Sequence, residues 1–113
     1  MIEKLKGLGV NFVMMHCYKG AGLVAEQQSM ADAVKFAKLC HDASLHVGVY
    51  TYSGAFLWEP LFKEVPQASH WVLLDANGKP QTYGSATYRY YWNRNHPEAQ
   101  AFYRKIVSAQ TGL

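Results

Sequence analysis

The residues best suited to chemistry in this chain are His16, Tyr18, Tyr50, Tyr52 and Trp58. His16 and Tyr18 close an apolar run over residues 10–18, and Tyr50 and Tyr52 close a second over residues 45–52. Imidazole and phenol groups at strand ends offer hydrogen-bond donors and acceptors in fixed positions. Trp58, on the loop that follows, offers a flat apolar platform. Such a set can bind and orient a ligand. Residues two apart share a face of a strand but differ in depth, so only one of Tyr50 and Tyr52 is expected to reach inward.

Bond cleavage needs more than these groups supply. Neither apolar run ends in a carboxylate; Glu59 and Asp75 fall in loops, where Glu59 reads as solvated and Asp75 as a turn residue. No catalytic residue is assigned. The five histidines, His16, His41, His46, His70 and His96, show no close ligand spacing, so no metal site is assigned either. Lys19-Gly20-Ala21-Gly22 follows a strand but lacks the length and the closing Lys-Ser/Thr of a phosphate loop, and no cofactor is expected. Cys17 and Cys40 sit in apolar contexts and read as small core residues, which leaves redox compartment and localisation open.

The elements that must hold these residues follow from the spacing of apolar positions. Ile2, Leu5 and Leu8 mark a short helix ended by Gly7 and Gly9. Residues 10–18 and 45–52 are apolar on both faces, as buried parallel strands are. Between them Ser29-Met30-Ala31-Asp32 has the form of a helix start, and Met30, Ala33, Val34, Ala37 and Cys40 make one face of a helix reaching about Asp42. Strand, helix, strand with short joins predicts parallel pairing. A long loop then occupies residues 53–94, with a short helix near Trp58 and a hairpin turn at Asp75-Ala76-Asn77-Gly78-Lys79-Pro80. Pro97 and Glu98 open a last helix with Ala99, Phe102, Tyr103, Ile106 and Val107 on its apolar side. Trp71 and Trp92 read as packing residues, and Asn93 and His96 as helix-capping ones.

Half of the residues are hydrophobic and 17% are charged, a composition that folds rather than stays disordered. The net charge of +3 is scattered, which argues against a nucleic-acid partner. No apolar run approaches the roughly 20 residues of a membrane helix, so no membrane partner is expected.

The order helix, Leu-Gly-Val-Asn strand, helix, Val-Gly-Val-Tyr strand resembles that of barrel glycoside hydrolases of the alpha-amylase and alpha-galactosidase-like superfamilies. The segments that carry the resemblance are residues 9–16, 47–52, 75–80 and 93–98. It implies an α/β fold, a partial (β/α)₈ barrel in which residues 1–113 form one incomplete domain. A whole barrel takes roughly 250 residues, and Gly112-Leu113 repeats the helix-to-strand join of Leu8-Gly9-Val10 just where a third strand is expected. It further implies a carbohydrate ligand met by His16, Tyr18, Tyr50, Tyr52 and Trp58 in a cleft wall without the catalytic carboxylate pair. Its expected partners are the rest of the barrel or a second copy joined through open sheet edges. Two other readings are a small non-catalytic α/β ligand-binding domain and a barrel enzyme of metal-dependent chemistry.

Overall fold

A computed structural model describes residues 1–51 and 57–112. Its elements run α1 (Ile2–Gly7), β1 (Phe12–Met15), α2 (Gln27–Asp42), β2 (His46–Val49), β3 (Leu57–Trp58), α3 (Glu59–Glu64), a 3₁₀ helix (Pro66–Trp71), β4 (Thr82–Tyr83), β5 (Ala86–Tyr90) and α4 (Pro97–Thr111).

β1 and β2 pair in parallel, with Phe12 opposite His46 and Met15 opposite Val49. The helices that feed them end in the same way. After α1 the Gly9 and Val10 amides donate to the Lys6 and Leu5 carbonyls; after α2 the Ser44 and Leu45 amides donate to those of His41 and Cys40. This double closure needs a left-handed residue in the middle. Gly9 takes it at φ 82°, and Ser44 takes it at φ 61° with a side chain present. One backbone device thus launches both strands. α2 begins at Gln27, ahead of the expected Ser29 cap, because the chain before it is fixed by Glu26 rather than by a serine hydroxyl.

The expected partial barrel is not what forms. A barrel adds each new strand in parallel to one continuous sheet, whereas here, among the described residues, the parallel sheet has two strands and β3, β5 and β4 make a separate antiparallel sheet. The physical reason lies in residues 57–93, whose strands pair with one another rather than with β1 or β2. Leu57 faces Tyr90 and Trp58 faces Arg89, while Leu73, Gln81 and Tyr91 exchange amide hydrogen bonds further along. The turn at Asp75 supports this sheet. The Asp75 Oδ1 accepts the Asn77 and Lys79 amides, and Gly78 supplies φ 76°. Among the described residues the fold is therefore a mixed α/β arrangement of two small sheets without a barrel-like closure.

Two apolar clusters divide the interior. The larger gathers Leu57, Leu61, Trp71, Trp92, Phe102 and Ile106 with Tyr18. The smaller sets Met15 and Cys17 against Ala33 and Ala37 of α2. Val34, expected on the buried side of α2, is 53% exposed. α1 buries no residue at all. The radius of gyration is 16.5 Å, against about 13 Å for a compact chain of this size, and the long axis reaches 54 Å.

Candidate functional site

At the carboxyl ends of β1 and β2 the chain turns through His16 and Tyr50. Their ring centroids lie 4.9 Å apart, and the Tyr50 amide still donates to the Met15 carbonyl at 2.8 Å, so the two strand ends remain registered. The carboxyl ends of parallel strands are the customary place for a ligand in α/β folds. A cavity of about 200 Å³ opens there, lined by His16, Tyr50, Tyr83 and Arg89. It is smaller than the roughly 300–1,000 Å³ of pockets for drug-sized ligands, so it suits one ring-sized unit.

Arg89 comes from β5 and Tyr83 from β4, so the antiparallel sheet supplies the second wall. The Arg89 guanidinium carbon sits 5.0 Å from the ring centroids of both Trp58 and Tyr83, within the range of cation–π attraction. Its Nη2 donates to the Lys19 carbonyl at 3.3 Å. Trp58 in turn meets Tyr88 edge-on at 5.6 Å.

Two buried polar side chains, Glu26 and Gln110, hold these walls in place, and among the described residues no other polar side chain is as deeply buried. Glu26 accepts the amides of Lys19 at 2.6 Å, Gly20 at 2.9 Å and Ala21 at 2.8 Å. The outward carbonyls of the same loop receive the Arg89 guanidinium and, at Gly20, the Trp58 amide at 2.9 Å. One carboxylate thereby fixes the backbone on which both Trp58 and Arg89 rest. Gln110 of α4 works from beneath. The Thr51 hydroxyl donates to its Oε1 at 2.6 Å, and its Nε2 lies 3.7 Å from the Cys17 sulfur. Thr51 and Cys17 are the residues next to Tyr50 and His16, so Gln110 ties the two strand ends together.

Of the residues singled out from the sequence, His16 and Tyr50 meet in the cavity, and Trp58 stands behind Arg89. Tyr18 lies elsewhere, 7% exposed in the larger core. Burial, reinforced by the nearby Glu26 charge, raises its phenol above the ordinary tyrosine value, which keeps it neutral. Tyr52 is outside the described residues. Tyr83, Arg89, Glu26 and Gln110 were not legible as site residues. Arg89 sits in a Tyr-rich stretch without clear period, and the two buried polar groups look like ordinary helix-surface residues until their partners are seen.

A larger cavity of about 390 Å³ lies between α3 and α4, with Glu64 and Glu98 among its lining residues. Both carboxylates serve the framework: Glu98 accepts the Trp71 indole N–H at 3.4 Å and Glu64 accepts the Val24 amide at 3.2 Å. Among the described residues no three His, Cys, Asp or Glu side chains converge as a metal site, and no helix is long and apolar enough to cross a membrane.

No known protein family, curated protein or solved structure matches the chain.

Proposed function

We propose that this chain binds a saccharide at the strand-end cavity and makes contacts to it without cleaving it. The carrying observation is the convergence of His16, Tyr50, Tyr83 and Arg89 on one small cavity whose walls are fixed by the two buried polar residues. Rings of this kind pack against the C–H faces of a sugar, while imidazole, phenol and guanidinium groups hydrogen-bond its hydroxyls. Among the described residues no carboxylate lines the cavity, and glycoside cleavage ordinarily requires two of them across the scissile bond. The chemistry left to the site is recognition.

Titration calorimetry of the chain against a panel of soluble oligosaccharides tests this. At least one should bind saturably, and Tyr50→Ala should weaken it by about five- to tenfold, the equivalent of about 1 kcal/mol of lost contact. Release of free sugar from a bound oligosaccharide would contradict the non-catalytic part of the proposal. Absence of binding across the panel would contradict all of it.

A further inference from the structure

We infer that the cavity between α3 and α4 is a second binding site, and that it takes a small primary amine carried on an apolar body. At about 390 Å³ it is larger than the strand-end cavity and falls within the roughly 300–1,000 Å³ of small-molecule pockets. The buried Trp71 and Phe102 give it an aromatic surface, their ring centroids 5.7 Å apart, and Leu23 and Val65 stand half-buried beside them. Aromatic faces attract organic cations, and an apolar body displaces water from the rest of that surface.

The charge comes from two carboxylates that retain acceptor capacity. Glu26 is a fully occupied acid, both of its oxygens accepting amides, at 2.6, 2.9 and 2.8 Å. Glu64 and Glu98 each give only one oxygen to the framework, and through long contacts: Oε2 of Glu64 accepts the Val24 amide at 3.2 Å, and Oε2 of Glu98 the Trp71 indole N–H at 3.4 Å. Among the described residues no protein donor reaches either Oε1, and the ion pairs lie on α2. A carboxylate oxygen has room for more than one donor, and an ammonium supplies three. The carboxylates are also held in position. A side chain at Gly22, which takes φ 106°, would overlap the Glu64 carboxylate. Glu98 stands in the first turn of α4, one helical turn before the buried Phe102. Lys105, the one cation of the lining, offsets a single charge and leaves the cavity negative.

The test compares, on the full chain, 2-phenylethylamine with 2-phenylethanol, two ligands of nearly the same shape that differ in charge. The amine should bind about tenfold or more tightly, the effect of a charge-assisted hydrogen bond, and should shift the Trp71 indole N–H in a nuclear magnetic resonance titration. Glu64→Gln and Glu98→Gln each keep an oxygen for the N–H that the carboxylate accepts, and combined they should erase the difference between amine and alcohol. Lys105→Gln should widen that difference, a direction that a purely structural role for these side chains would not produce. Equal binding of amine and alcohol to the unaltered chain would overturn the inference, and so would binding of neither. An amine preference that survives in the folded double variant, or that leaves the Trp71 indole unmoved, would overturn it as well. Should the double variant not fold, the unaltered chain and Lys105→Gln still decide.

Discussion

The antiparallel and parallel parts of the molecule are built to different standards of closure. Around β3, β5 and α4 the interior is filled by large side chains, with Leu57 and Leu61 fully buried beside Trp71, Trp92 and Phe102. Around β1, β2 and α2 the contacts are made by Met15, Cys17, Ala33 and Ala37, and the opposite strand positions stay open, Phe12 at 49% and Met14 at 60% exposed. The ring of Phe12 lies across Gly48, where any side chain would displace it. Stability resides in the first part, and the strand ends that carry His16 and Tyr50 belong to the second. The cavity lies where they meet, and Glu26 and Gln110 are the polar links that let a loosely packed element present well-placed groups.

The largest effect should come from the closed part. Leu61→Ala removes a fully buried side chain and should cost about 2–5 kcal/mol in chemical denaturation. A loss below that range would mean that the larger cluster is not the main source of stability. Glu26→Ala strands the amides of Lys19, Gly20 and Ala21 in a buried loop and should cost about 2–3 kcal/mol. It should also weaken ligand binding, because carbonyls of that loop accept the Arg89 guanidinium and the Trp58 amide. Unchanged stability with lost binding would show that the loop matters to the site alone.

Tyr18 gives the comparison a pH dependence. Its phenol is raised above the ordinary value of 10.0 in the folded chain, first by burial and then by Glu26. The unfolded chain therefore releases that proton first as pH rises. The stability linked to Tyr18 is whole below about pH 10 and declines above it. Tyr18→Phe should flatten the alkaline limb of a stability-against-pH curve; an unaltered limb would remove Tyr18 from the core's alkaline sensitivity. The smallest effect belongs to the open face. Met14→Ser should change stability by no more than about 0.5 kcal/mol, and a larger loss would show that this face is covered in solution.

Local elements were legible where a single backbone requirement fixed them. Gly9 marked the end of α1, Asn77-Gly78 marked the hairpin turn, and Pro97 with Glu98 marked the start of α4. The parallel pair followed from two apolar runs and the helix between them. The barrel did not follow, because the pairing of β3 with β5 depends on contacts far apart in sequence that apolar periodicity cannot reveal. The same distance hid Arg89, which reaches Lys19 across 70 positions, and Gln110, which reaches Cys17 across 93. His16 and Tyr50 were visible since each closes its own strand. Tyr18 looked equivalent to them and is not: two residues beyond His16, the chain has already turned into the core.

The most direct test is a nuclear magnetic resonance titration of the isotope-labelled chain with the soluble oligosaccharides of the binding panel. Saturable shifts should appear at His16, Tyr50 and Tyr83, at the Arg89 guanidinium and at the Trp58 indole, with the α3–α4 cavity unmoved. No shifts at these residues, or shifts confined to the residues around Glu64 and Glu98, would contradict the assignment of the strand-end cavity as the binding site.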